Sequence, residues 1–286
     1  MLYGYDYIVE SLKRLADQRA LSHAYIFFGE SQVGKFLCAT ILANYLERGE
    51  LEEPKHPLQE TLIVDMAHRG DEEDSESIGI EAVRRVTYFL HQQPALSPYR
   101  VVIIRDGEWL TDQAQNALLK TLEEPPEHSV VILIAADASV FLPAVSSRAQ
   151  KIYFKTLSDQ QVLDFCNSSG IIKDTNLVQK SFGRIGRLKS LVEPTKQAHA
   201  IEQLVSDICA PKKSESTSEK IVDAIIAFDQ KNPTNLSALC EALMIELYAH
   251  KKHQHALKEL IPLMTHLQTL TLSKRIHLKK LLCLIN

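Results

Sequence analysis

The chain has 286 residues, 45% of them hydrophobic and 24% charged, with a net charge of −4. That length allows a sizeable core spread over about two or three domains, and the mildly acidic balance excludes a strongly basic, nucleic-acid-coating protein. The opening MLYGYDYIVESLKRL holds acids and no apolar run, so no secretory leader is expected; no stretch approaches the roughly eighteen apolar residues of a membrane span, and the five scattered cysteines suit reduced thiols in a cytoplasm.

Ile8, Leu12 and Leu15 set a helical stripe within residues 3–20. Residues 21–28 read as a turn into a buried strand. Gly29-Glu-Ser-Gln-Val-Gly-Lys35 follows at once, ahead of an apolar helix over 36–46. Strand, GxxxxGK loop and helix together form a phosphate cradle. The backbone N–H groups point inward, the helix N-terminus is electropositive, and Lys35 reaches the β and γ phosphates. The alternative is a tight turn carrying a solvated lysine. Phe36 stands where this motif wants Ser or Thr to hold Mg²⁺, and a phenyl ring cannot ligate a hard cation.

Residues 50–77 are polar, with a strand over 62–64 and an acidic run (Asp71, Glu72, Glu73, Asp74, Glu76) read as a solvated loop. An amphipathic helix covers 80–90. Apolar, β-branched runs at 101–104 and 130–134 read as buried strands. The helix between them spans 112–123, with Ala114, Leu118 and Leu122 on one face, Thr111 as its N-cap and Pro125-Pro126 as its stop. Strand, crossover helix and strand make a parallel unit. A helix over 157–170 ends on Gly170. A polar stretch over 210–219 reads as a loop, with helices over 221–228, 237–250 and 256–270. His250, His253 and His255 sit among lysines, as a solvated face rather than a metal site.

Asn116-Ala-Leu-Leu-Lys-Thr-Leu-Glu-Glu-Pro-Pro126 and Ser147-Arg148 together resemble the clamp-loader branch of the AAA+ ATPases. The first matches that branch's signature helix, and the second its Ser-Arg-Cys motif with Ala149 in place of Cys. Ile80, Val83 and Arg84 resemble its Ile-x-x-Ile-Arg segment. The resemblance is carried by residues 1–190. It implies an α/β P-loop (AAA+) parallel-sheet domain over 1–155, a helical lid over 156–195 and an all-helical collar for oligomerisation over 196–286.

Motor subunits of this kind place an acidic pair after the third strand, one acid for Mg²⁺ and one to polarise water. In register those positions are Arg105 and Asp106, with Glu108 as the acid if the strand end is shifted. Ala136 replaces a polar phosphate-sensing residue, with Asp137 as a stand-in. Gly183-Arg-Ile-Gly-Arg-Leu188 resembles the second sensor region, where Arg187 either contacts a nucleotide at Lys35 or is a solvated helix charge. The zinc-binding cysteines common in the family cannot exist here, because no cysteine lies between Cys38 and Cys166; no metal is expected.

The resemblance therefore implies a non-hydrolysing stator of the replicative sliding-clamp loader. Arg148 acts in trans on the ATP of a neighbouring subunit, where a planar, always-charged guanidinium spreads transition-state charge. The alternatives for Arg148 are a helix cap or a surface ion pair. Gly29, Gly34, Lys35 and Arg187 form a vestigial nucleotide site: no cofactor is required, and ATP or ADP binds only weakly and without Mg²⁺. The implied partners are the motor (gamma/tau) and delta subunits of DNA polymerase III, the sliding clamp through them, and primed DNA, in the cytoplasm and away from membranes. The rival reading is an active motor ATPase, which should carry Ser or Thr, Asp and a polar residue at positions 36, 105 and 136. A P-loop small-molecule kinase is a third reading, opposed by the signature helix and the Ser-Arg step.

Overall fold

A computed structural model describes residues 2–66, 77–171, 175–192, 196–209, 215–231, 239, 240 and 242–244. The chain forms two compact units, residues 1–189 and 190–286.

The first unit is built on five parallel strands: β1 (Ala24–Phe28), β2 (Thr61–Val64), β3 (Arg100–Ile104), β4 (Ser129–Ala135) and β5 (Gln150–Tyr153), in the spatial order β2-β3-β4-β1-β5. Parallel neighbours need crossovers, and helices supply them: α1 (Asp6–Asp17) before β1, then α2 (Lys35–Arg48), α3 (Ile80–His91), α4 (Asp112–Glu123) and the short α5 (Pro143–Ser146) between strands. Side chains alternate across a strand, so each central strand feeds two cores. Tyr25, Phe27, Val101, Ile103, Val130 and Ile132 point to one face, with the buried residues of α1 and α2. Ala24, Ile26, Val102, Ile104, Val131 and Leu133 point to the other, with those of α3 and α4. Covering both faces is why these strands read as unbroken apolar runs.

The expected elements fall close to their observed bounds. In α1 the buried stripe is Ile8, Leu12 and Ala16, with Leu15 beside it. Thr111 caps α4, its hydroxyl accepting from the Ala114 N–H at 3.1 Å. The segment expected as a lid begins with α6 (Asp159–Ser169), opened by a reciprocal Ser158–Gln161 capping box and closed by Gly170 in the left-handed region. Two further helices follow, α7 (Thr175–Ser181) and α8 (Ile185–Val192). Val162, Phe165, Val178 and Leu188 join the core that holds Tyr5, Phe27 and Phe154.

The turn from α7 into α8 depends on Gly183. It has φ +73°, and a Cβ there would lie 2.0 Å from the Leu157 carbonyl oxygen. The backbones are that close because the Leu157 N–H donates to the Gly183 carbonyl at 3.0 Å. This contact ties the lid to the exit of β5.

In the second unit, α9 (Lys196–Cys209) and α10 (Glu215–Lys231) pack Val205, Ile208, Ile221, Val222 and Ile225 together with Leu239, Cys240 and Leu243. The polar residues from Glu215 to Glu219, expected as loop, are instead the first turn of α10. Burial of Ile221, Val222 and Ile225 fixes the helix, and propagation back through a polar turn is then inexpensive. Among the described residues no helix is long and apolar enough to cross a membrane. The acidic run at 71–76, the helices expected over 256–270 and most of 237–250, and the histidines at 250, 253 and 255 lie outside the described residues.

Gly183→Ala is expected to cost about 3 kcal/mol or more in urea unfolding, through overlap with backbone added to left-handed strain. Gly170→Ala, with φ +69° but nothing within 4 Å of its Cβ, should cost only about 1 kcal/mol. Equal losses would mean that the close approach to Leu157 carries no energy.

Candidate functional site

The register of the sheet sets the site. Phe28 pairs with Ala135 and Ile104 with Leu133, so β1, β3 and β4 end side by side and their exit loops share one edge. Ligands of open parallel sheets bind at such an edge.

The loop after β1 has the bends of a phosphate cradle: φ +134° at Gly29, +61° at Gln32 and +110° at Gly34, with α2 starting at Lys35. It is pinned from outside. The Gly29 N–H donates to the Ala136 carbonyl at 3.1 Å, and a Cβ on Gly29 would lie 2.3 Å from the Phe154 carbonyl oxygen. Lys35 is 8% exposed, so the alternative of a solvated lysine does not hold. Its ammonium folds back and donates to the Gly29 carbonyl and, at 2.9 Å, to the Glu30 carbonyl. Burial pulls its pKa below the usual lysine value, while Glu108 and Glu30 pull the other way.

The two positions that depart from an ATPase pattern meet one another. The Arg105 guanidinium carbon lies 4.7 Å from the centre of the Phe36 ring, a cation–π contact. One residue follows the phosphate loop and the other follows β3. Neither offers an oxygen, and a fixed cation stands beside the position where a divalent ion would be held, so these residues do not fit Mg²⁺. The acids nearby are otherwise engaged. Asp106 accepts from the Met66 N–H at 3.0 Å, beyond the end of β2. Asp137 caps the following turn by accepting from the Ser139 N–H at 2.8 Å. Among the described residues no group of three or more His, Cys, Asp or Glu side chains is arranged to hold a metal.

Glu108 shares the neighbourhood of Lys35 with Glu30. A single turn, Gly107–Trp109, carries it back toward the loop, and its carboxylate accepts from the Ala136 N–H. Burial raises its pKa; the Ala136 N–H and the charge of Lys35 oppose the rise without cancelling it. The sequence offered Glu108 only as a shifted alternative to Asp106, because a turn following a strand cannot be read from spacing.

The lid reaches the same loop. The Gly186 N–H donates to the Gln32 carbonyl at 3.0 Å. Arg184, 6% exposed, donates to the Ser31 hydroxyl at 3.3 Å with the Glu30 carboxylate 3.8 Å away. Arg187, the expected sensor, lies with its guanidinium carbon 5.9 Å from the Phe182 ring. In this motif Arg184 is bonded to the loop through the Ser31 hydroxyl. Arg184 precedes α8, in the turn that Gly183 shapes, and a motif string does not contain the geometry of that turn.

Arg148 lies between β4 and β5, and its contacts come from α4 and α5. One terminal nitrogen, Nη2, is 2.7 Å from Glu123 Oε1; the other, Nη1, donates to the Ala144 carbonyl at 2.9 Å and to Ser147 Oγ at 3.4 Å. In this chain by itself both alternatives for Arg148, a helix cap and a surface ion pair, are therefore present. Its side chain is still 36% exposed.

Residues 4–158 match the protein family described as DNA polymerase III, delta subunit. The chain is 30% identical over 203 residues to DNA polymerase III subunit tau of Bacillus subtilis, covering 66% of this chain and 34% of the relative. It is 26% identical over 288 residues to subunit tau/gamma of Haemophilus influenzae, covering 91% of this chain and 41% of the relative. The chain thus spans about a third to two-fifths of the length of these curated relatives. Its fold is similar to the crystal structure of a DNA polymerase III gamma subunit-related protein from Thermotoga maritima, with a TM-score of 0.56 and 21% identity over 97% of this chain and 98% of the other.

The Glu108 carboxyl sets a sign for pH. Its folded pKa is raised, so the folded state holds the proton longer than the unfolded chain does. Its contribution to stability is complete below the ordinary glutamate value of 4.5 and is lost as pH rises through the raised value. Glu108→Gln should remove that loss, so its stability relative to the wild-type chain should rise from pH 4 to pH 8 in urea unfolding. A constant difference across that range would place the carboxyl in water.

Proposed function

The chain belongs to the DNA polymerase III delta subunit family, a clamp-loader family related to gamma and tau, and from that membership we propose that it is the delta-prime type of subunit, a non-hydrolysing stator. In this reading it sits in a cytoplasmic complex with motor (gamma/tau) and delta subunits. It reaches the sliding clamp through them and assists loading of the clamp onto primed DNA. Arg148 is presented to the ATP of an adjacent motor subunit, where its guanidinium stabilises charge developing on the transferred phosphoryl group.

The observation that carries this reading is the Arg105–Phe36 stack. A hydrolytic site needs a metal ion between the phosphate loop and the end of β3, and here both positions are given to a cation–π pair. The phosphate loop keeps its glycine bends and Lys35, so nucleotide binding without Mg²⁺ is retained as a weak, non-catalytic property of Gly29, Gly34 and Lys35, with Arg187 on the lid. The likeness to subunits named tau and gamma supports the rival reading, an active motor ATPase. The chemistry at positions 36, 105 and 136 opposes it.

Three measurements separate the readings. The purified chain should show no metal-dependent ATP turnover, and calorimetric titration with ATP should give the same weak or absent binding with and without Mg²⁺; turnover of about 1 s⁻¹ would instead establish a motor. In the assembled complex with clamp and primed DNA, adding the chain should stimulate hydrolysis by the motor subunits. Arg148→Ala should assemble equally well and remove most of the stimulation, by about tenfold or more. Equal stimulation by both forms would reduce Arg148 to a structural role.

A further inference from the structure

Helix α4 ends on two acids, Glu123 followed by Glu124. The C-terminus of a helix carries negative partial charge, so an acid there is unfavourable unless a cation meets it. The cation that meets Glu123 is Arg148, with Oε1 to Nη2 at 2.7 Å. The other terminal nitrogen is held by α5 and its cap, through the Ala144 carbonyl and Ser147 Oγ. The guanidinium is therefore gripped on two sides by two different elements. Those elements are themselves bolted together. The buried Gln115 of α4 accepts from the Leu142 N–H at 2.7 Å and donates to the Val140 carbonyl at 3.2 Å, on the segment that leads into α5.

We propose that Glu123 is the positioning residue of Arg148: it fixes the plane and direction of the guanidinium before a neighbouring subunit's nucleoside triphosphate arrives. This rests on the reading of Arg148 as a group acting in trans. A free arginine side chain samples many rotamers and must be ordered at the moment of reaction. One that its own chain already orders presents its charge at a set point, and preorganised charge is what stabilises a transition state without further rearrangement. The side chain, 36% exposed, leaves the guanidinium reachable from outside while it is held. Glu123 touches neither substrate nor reacting atoms and acts only through Arg148.

The test measures ATP turnover against ATP concentration in the complete complex, with clamp and primed DNA, for Glu123→Gln, Glu123→Asp, Arg148→Ala and the Glu123→Gln/Arg148→Ala double variant. Glu123→Gln should assemble normally and lower the stimulated kcat roughly two- to fivefold with KM for ATP unchanged. Glu123→Asp should recover part of the loss. On the Arg148→Ala background, Glu123→Gln should have no further effect, as expected of residues that act as one unit. A Glu123→Gln variant with unchanged or raised kcat, or one equally harmful with Arg148 already removed, overturns the proposal. If Arg148→Ala abolishes stimulation while Glu123→Gln is silent, the positioning role alone fails. If Arg148→Ala is itself silent, the trans-acting reading fails first, and this one with it.

Discussion

Parallel hydrogen bonding of β1, β3 and β4 fixes where the chain leaves the sheet, and the site depends on that. With Phe28 beside Ala135 and Ile104 beside Leu133, the glycine loop, the Arg105-Asp106 pair and the Ala136-Asp137 pair are brought to one edge from residues far apart in the chain. A slip of one residue in any strand would exchange its two core faces and turn Tyr25, Phe27, Ile103 or Ile132 into the wrong layer. Both faces are apolar, so what opposes that slip is the fit of side chains of particular size in two close-packed cores, and that packing also determines the relative placement of the functional groups.

At that edge, burial and charge act against one another on Lys35 and Glu108. Lys35 is taken out of water and receives two loop carbonyls in exchange; Glu108 is partly buried nearby and receives the Ala136 N–H. Desolvation disfavours the charged form of each and moves their pKa values in opposite directions, Lys35 down and Glu108 up, while their mutual Coulomb attraction opposes both shifts without cancelling them. Arg105 needs no counter-ion in this arrangement because it is exposed and rests on the face of Phe36, a contact worth about 0.5–1 kcal/mol at such a site. The lid adds Gly186 and Arg184 to the rim of the same loop.

The signature helix α4 has two separate tasks. Its buried side, through Leu118, Leu122 and the hydrogen-bonded Gln115, locks the sheet to the turn that leads into α5. Its last residue, Glu123, meets Arg148 across that junction. A surface pair of this kind contributes about 0–1 kcal/mol to stability, so its value lies in geometry more than in energy.

Much of this was legible in the residues. Apolar runs located β1 to β4, and apolar or helical patterning located α1 to α4 and α6, since both are local properties of the chain, whereas β5 and α5 carry no such signal. Thr111 and Gly170 marked helix ends through local capping chemistry, the GxxxxGK loop with Phe36 announced a phosphate cradle unsuited to Mg²⁺ from residue chemistry, and Arg105 joined it through the register that the family resemblance implies. Other features required the tertiary structure. The stacking of Arg105 on Phe36, the turn that sends Glu108 rather than Asp106 toward Lys35, the bond from Arg184 to Ser31 of the loop, and the Glu123–Arg148 pair all join residues from different elements. A sequence records which groups are available and how each segment folds locally; which of them meet is decided by sheet register and helical phase, and both are set by packing between segments distant along the chain.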